Sequence, residues 1–423
     1  MPVKGGRTPS NPEKEAKLNE FRAHLESGNL DEQLLQDFTV NQTKKFSKQG
    51  PASLGGETLI EMDGVHVQYG DKVVLGDWKQ KVNDEIKDGL HWRVRRGQRW
   101  AILGANGSGK TTLLSLITSD HPQTYSQPIK MFGRSRLPEA GKPGISIFEL
   151  QSRMGHSSPE VHAFFPRQLT VREALESAFA ETFLSKPKLD HEKDLDVSAA
   201  LRAFKAELDP NAGHEEPAAV SIDTGMFPKL QTESSRKKKN SSTGFYLPLE
   251  YQVEYADNVK FSELSTAQQR IVLFLRALIH KPDIVILDEP FSGLTASQRD
   301  KCLRFIETGE DLPDSKVPCD IPLRHRGLSE DQALVLISHV KEEIPDSVRY
   351  YMRLPSEVGD GAEPVDFRAG MLKDSSVLSD PAVWDLVWSP ADKFLEKSQR
   401  PVVAQDSAHA GNDDFERFGY CTI

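Results

Sequence analysis

The feature that most constrains this chain is Gly104-Ala105-Asn106-Gly107-Ser108-Gly109-Lys110-Thr111, which satisfies G-x-x-x-x-G-K-[ST] at every position. It lies between Arg99–Leu103, which reads as a strand, and Lys110–Thr118, which reads as a helix. A loop of this kind folds main-chain N–H groups inward around a triphosphate, and glycines permit the dihedrals and close approaches that this needs. The helix that follows presents its N-terminus to the anion. Lys110 supplies a point charge for the β- and γ-phosphates, and the Thr111 hydroxyl is a ligand for Mg2+. Residues Gly104 to Thr112 are thus the expected nucleotide-binding set, with Thr112 at its end. The G-x-G-x-x-G order of a dinucleotide-binding turn is absent.

A second constraint is Ile284-Val285-Ile286-Leu287-Asp288-Glu289-Pro290, an aliphatic run that ends in two carboxylates. Adjacent residues on a strand point to opposite faces, so the pair divides its roles where the strand ends and the chain turns. Asp288 is the expected holder of Mg2+, directly or through water, and Glu289 the expected general base for an attacking water. Residues 284–287 and Ala333–Ile337 are nearly uninterrupted aliphatic runs, the pattern of parallel strands buried on both faces.

Along the rest of the 423 residues, 1–57 read as a polar extension with one short surface helix marked by Pro12, Leu18, Phe21 and Leu25. Residues 58–69 alternate apolar and polar as a half-buried strand. Two polar insertions are expected, at about 185–244 and 308–331. The first contains Arg236-Lys237-Lys238-Lys239, read as an exposed charge cluster, with a nuclear or nucleic-acid signal as the alternative. Residues 266–280 carry a helical apolar pattern. Beyond Gly359 the chain is acidic and rich in Ser, Asp and Pro apart from 377–387, and reads as a weakly structured tail from 359 to 423.

Composition excludes several classes. A formal charge of −10 disfavours nucleic acid and anionic membrane surfaces as partners. The three cysteines, Cys302, Cys319 and Cys421, are widely spaced and odd in number, which suits a reducing compartment. No apolar run approaches the ~18–20 residues that span a bilayer; the run 271–279 is interrupted by Arg276. The N-terminus lacks an apolar signal core, and Glu13, Glu15 and Glu20 argue against a mitochondrial presequence. A cytoplasmic location without direct membrane insertion is expected, with mitochondrial placement or attachment to a membrane through a partner as alternatives.

Taken together, the phosphate loop, the acidic strand end and Asp288-Glu289-Pro290-Phe291-Ser292-Gly293-Leu294 resemble the ATP-binding-cassette (ABC) ATPases. Leu264-Ser265-Thr266-Ala267-Gln268 stands where that family's signature has L-S-G-G-Q, within Phe261 to Arg270. Val335-Leu336-Ile337-Ser338-His339 is similar to its switch-histidine strand, and Tyr69 to the aromatic that stacks on adenine. The likeness covers 59–351. More narrowly, the stretch from Leu113 to Arg134 resembles soluble fungal cassette proteins related to a bacterial ATPase linked with molybdenum uptake.

What the resemblance implies is an α/β P-loop fold of the ABC type over 58–358, with a mixed, mainly parallel sheet core and antiparallel β and helical subdomains. It implies ATP and Mg2+ as ligands, Glu289 and His339 as catalytic residues, and Tyr69 on the base. It also implies two cassettes face to face, so that Ser265 at a helix start meets the nucleotide of a second cassette. That second cassette is another copy, another chain, or sequence outside this one. A non-hydrolysing regulatory module, and an ATPase subunit serving a separate membrane permease, are the alternatives. Three departures bear on these. The glutamine expected near Gly155-His156-Ser157-Ser158-Pro159 is absent, which weighs against a permease; Thr266-Ala267 replaces the glycine pair; and Thr295 replaces an aspartate. Tyr69 is also separated from the phosphate loop by an additional stretch, 72–89.

Overall fold

In the structure, a computed structural model, residues 56–83, 85–180, 182–210, 253–310, 324–355, 366–372, 376–389 and 421–422 are described. The helix expected around Pro12 and the basic run at 236–239 lie outside these residues.

The expected α/β architecture is present. Its centre is a seven-stranded sheet whose first five strands, in spatial order, are β10 (Met154–Ser157), β11 (Ile284–Asp288), β12 (Ala333–Ile337), β7 (Arg99–Leu103) and β13 (Tyr350–Arg353), all parallel. Strand β14 (Arg368–Met371) joins β13 antiparallel, and β15 (Cys421–Thr422) pairs with β14. The aliphatic strands sit between two cores, as their sequences require. On β11, Val285 and Leu287 enter one core while Ile284 and Ile286 enter the other. On β12, Leu334 and Leu336 oppose Ala333, Val335 and Ile337 in the same way. A strand buried on both faces loses water from every side chain, each large one contributing about 1.5–3 kcal/mol. Such a strand shows no polar alternation.

The second layer is an antiparallel sheet of β6 (Leu90–Arg95), β1 (Thr58–Val65), β8 (Ile129–Met131) and β9 (Arg134–Ser135). Trp92 of β6 meets Trp100 of β7 edge-on at 5.5 Å between ring centroids, which joins the two sheets, and Trp100 stacks within its own sheet on Tyr350 of β13 at 5.0 Å. The single strand expected over 58–69 is two. A register shift between Asp63 and Val65, with Gly64 at φ 82°, bends β1 just before its end at Val65, and β2 (Val67–Tyr69) leaves to pair with β3 (Lys72–Leu75). The rest of the additional stretch forms a separate hairpin of β4 (Lys79–Val82) and β5 (Glu85–Asp88).

The helices carry the site. Helix α1 (Lys110–Thr118) follows β7, and α2 (Pro159–Phe164) follows β10. The segment expected to open a solvated insertion at Ser185 instead folds into α3 (His191–Ala203) and α4 (Lys205–Leu208). Val197, Ala200, Leu201, Phe204 and Leu208 are buried in the main core. The charges that make this stretch look solvated lie mainly in the first turn of α3, at Glu192, Lys193 and Asp194, ahead of its buried second half. Helix α5 (Thr266–Ile279) has nine buried residues, and His280 is its C-cap. Helix α6 (Ala296–Glu307) follows β11.

The second insertion closes on itself. Gly309, at φ 84°, lies so near the chain's return that a Cβ there would stand 1.9 Å from the His325 carbonyl, while Glu310 accepts from the Arg324 and His325 N–H groups at 2.9 and 3.0 Å. The tail also departs from expectation. Besides β14, α7 (Pro381–Trp388) packs through Val387, and Arg353 and Arg368 donate to carbonyls at its C-terminus. Among the described residues no helix is long and apolar enough to cross a membrane.

Candidate nucleotide site

The phosphate loop runs from the end of β7 into α1. Gly109 is the N-cap of α1 at φ 93°, and no side chain caps it, so the first-turn N–H groups lack a side-chain acceptor. A Cβ on Gly109 would meet the Val74 carbonyl at 2.6 Å, because strand β3 passes directly beside the loop. Glycine is therefore required both by dihedral and by space. Lys110 is buried, and its ammonium donates to the carbonyls of Gly104 and Ala105 at 2.9 and 2.8 Å. Burial lowers its pKa, an effect that Glu289 and Asp288 oppose, which places the cation in the field of the acid pair. Ser108 is buried with its hydroxyl unpartnered, and Ala105, Asn106, Gly107 and Thr111 are exposed beside it, with Thr112 half-buried. A cationic loop with free N–H groups and an orphaned hydroxyl fits a phosphate ligand.

Across the sheet, β11 ends at Asp288 and the chain turns. Glu289 takes a left-handed conformation, φ 46°, that costs a non-glycine residue about 1 kcal/mol or more. Its N–H donates to the Ile337 carbonyl of β12 at 3.0 Å. Burial, then the adjacent Glu289 charge, pushes the Asp288 carboxyl up to about 6, and Lys110 acts against this. A carboxylate so destabilised is relieved by a cation, so the donor set of Asp288 and Thr111 fits Mg2+. His339 leaves the end of β12 with Nε2 2.9 Å from Glu289 Oε1. The neighbouring Ser338 hydroxyl donates to Glu343 at 2.6 Å and accepts from the Val340 N–H at 3.0 Å, which fixes the turn that carries the histidine.

A cleft beside the acid pair is lined by Ser157, Ser158, His162, Arg270, Asp288 and Glu289 among others. Ser158 and Pro159, at the place where the expected glutamine is absent, open the helix beside this cleft. Ser158 caps α2, accepting from the Val161 N–H, and presents a hydroxyl residue instead of an amide. The Ser-Pro-Glu order at 158–160 is the sequence signal for that cap. His162 and Arg270 carry no comparable signal. His162 Nε2 lies 2.7 Å from Gln269 Oε1, and Arg270 donates to the Ser292 carbonyl.

Two residues singled out in the sequence stand apart from this cleft. Ser265 is the exposed N-cap of α5, in a reciprocal capping box with Gln268. Tyr69, 51% exposed at the end of β2, contacts His121 through its hydroxyl, with ring centroids 5.6 Å apart. His121 Nδ1 accepts from the Gln123 N–H at 3.1 Å, so its proton is on Nε2, facing Tyr69. Thr295, at the aspartate position, caps α6 by the same reciprocal arrangement with Gln298.

These elements define an α/β nucleoside-triphosphatase fold of the P-loop class. Residues 87–292 match the family model described as ABC transporter. Over 304 residues it is 30% identical to an uncharacterized ABC transporter ATP-binding protein of Schizosaccharomyces pombe, covering 72% of this chain and 46% of that protein. A similarly named protein of Saccharomyces cerevisiae is 31% identical over 315 residues, 71% of this chain and 43% of that one. The ABC transporter ATP-binding protein ModF of Escherichia coli is 28% identical over 325 residues, 75% and 54% respectively. The chain thus spans about half the length of these relatives.

Proposed function

We propose that this chain binds Mg-ATP at Gly104 to Thr112 and hydrolyses it, with Glu289 as the general base and His339 as its positioning partner. The observation that carries this reading is the convergence of Glu289 and His339 at 2.9 Å beside Asp288, in the electrostatic field of Lys110. The main-chain amides of the loop and Lys110 hold the β- and γ-phosphates. Thr111 and Asp288 would hold Mg2+, which supplies positive charge against the triphosphate when bound. Glu289 takes a proton from a water directed at the γ-phosphate, and His339 keeps the carboxylate aimed and contacts the phosphate or the water. Ser265 reaches the nucleotide of a second cassette across a two-cassette sandwich, and the exposure of that helix start supports this placement. Tyr69 provides the platform for adenine.

The test is phosphate release by the purified chain, together with its mass with and without ATP, using Glu289→Gln to trap the sandwich. ATP-dependent doubling of mass in the trapped variant, with slowed turnover, is the expected result. Equal turnover in wild type and Glu289→Gln removes the base assignment, and an absence of Mg-ATP uptake by calorimetry removes the whole reading. The relatives' names raise a second reading, an ATPase subunit for a separate permease, which co-purification with a membrane protein would favour.

A further inference from the structure

We propose that the helical pair α3–α4 is a strut that aligns the signature segment with the helix leaving the acid pair, and that Glu207 is its positioning residue. The inference rests on the reading of Ser265 as the group that meets a second cassette's nucleotide.

The argument starts at Gln268. Its Oε1 accepts from both the Ser265 N–H and the Ser265 hydroxyl at 2.9 Å, so the orientation of this amide sets the orientation of Ser265. A half-buried amide side chain without a partner ordinarily samples several rotamers. This one is fixed, because Nε2 donates to the Glu207 carbonyl at 2.8 Å. Glu207 is itself fixed from the other side. Its carboxylate pairs with Lys301 Nζ of α6 at 2.7 Å, with the two side chains only 15% and 21% exposed. The same ammonium lies 5.1 Å over the Phe204 ring, and Phe204 packs edge-on against Phe305 of α6 at 5.3 Å. Helix α6 begins seven residues beyond Glu289, at Ala296. A continuous chain of contacts therefore runs from Ser265 through Gln268, Glu207 and Lys301 to the helix that follows the acid pair.

The strut is anchored at its other end as well. Asp196 of α3 takes Lys281, just past the C-terminus of α5, at 2.8 Å, and Arg324 at 2.5 Å. The signature helix is thus held at both ends by one element. A largely buried ion pair contributes little net stability but fixes geometry, since separating its members strands a charge. Removing one member alone therefore threatens folding as well as alignment, and the charge-retaining Lys301→Arg and the reversed pair are the arms that tell the two apart.

The experiment compares wild type with Lys301→Met, Glu207→Gln, the conservative Lys301→Arg, and the reversed pair Glu207→Lys with Lys301→Glu. All are checked first for an unchanged far-UV spectrum. The readouts are the Kd for a fluorescent ATP analogue, kcat for phosphate release, and hydrogen exchange of the peptide containing Ser265 to Gln268. The expected result for the two neutralising variants is a kcat lower by about 5-fold with Kd within about 2-fold, and exchange at 265–268 faster by about 3-fold or more. Lys301→Arg and the reversed pair should recover most of both effects. Unchanged exchange in the folded neutralising variants overturns the strut, as does faster exchange with unaltered kcat. Should wild type neither bind nor turn over ATP, the functional reading fails. The exchange arm still shows whether Glu207 and Lys301 set the signature segment.

Discussion

His339 Nε2 lies 2.9 Å from Glu289 Oε1, although the two residues are 50 positions apart, because β11 and β12 run parallel and bring Asp288 level with Ile337. The Glu289 N–H on the Ile337 carbonyl repeats this register one residue further along. A base and its partner held by the backbone of adjacent central strands keep their spacing without help from loops.

The first prediction follows from that pair. Glu289→Gln should retain ATP binding and slow phosphate release by at least about 100-fold. His339→Ala should slow it substantially as well, and the double variant should be little worse than Glu289→Gln alone, since residues that act as a unit lose function together. Steady-state phosphate release on the three variants decides this.

Lys110→Ala should abolish tight nucleotide binding, measured by calorimetry with Mg-ATP. The substitution removes the loop's cation and leaves the Gly104 and Ala105 carbonyls without the donor they now share. Gly109→Ala should give the same loss by a different route, because its Cβ collides with the Val74 carbonyl.

Asp288→Asn should separate stability from activity. Burial and the neighbouring Glu289 charge disfavour the Asp288 carboxylate in the folded chain. Neutralising it should stabilise the metal-free, nucleotide-free protein by about 1–2 kcal/mol, raising Tm by a few degrees in a chelating buffer. The same variant should lose Mg-dependent phosphate release.

Acid should weaken the fold through two histidines. His156 and His280 are largely enclosed, and burial lowers both to about 4. Arg276 adds to the effect at each. Their folded pKa values lie below that of an unfolded histidine, near 6.5. Their neutral forms therefore stabilise the fold fully above about pH 6.5, and the contribution is lost as pH falls from there toward 4. Between pH 7 and 5 each should remove roughly 1–2 kcal/mol. Thermal melts across this range should steepen less with pH in His156→Gln and His280→Gln than in wild type.

How much of this was legible in the sequence depended on whether a signal was local. The phosphate loop, the run ending at Asp288-Glu289 and the strand ending at His339 are each written in consecutive residues, and the fold places them on neighbouring central strands. Helix α3 was hidden because its apolar positions, Val197, Ala200 and Leu201, are few and set among lysines and acids whose charges are taken up by specific partners such as Lys281 and Arg324. Strand β14 was hidden because Arg368-Ala369-Gly370-Met371 has no β-rich composition; it forms by pairing with β13 and by the stacking of Phe367 on Trp78 at 4.9 Å. Tertiary pairing, not propensity, made it a strand. The break at His66 depends on a bulge, which composition does not announce.

The closure of the chain between Gly309 and His325 has a practical consequence. Departure and return share one point, with Glu310 bridging them to Arg324, so this clasp by itself holds helix α6 to the approach to strand β12. A change that opens the clasp, such as Glu310→Ala, would therefore free the end of helix α6 from the approach to strand β12, the two elements that flank the Glu289 and His339 turns.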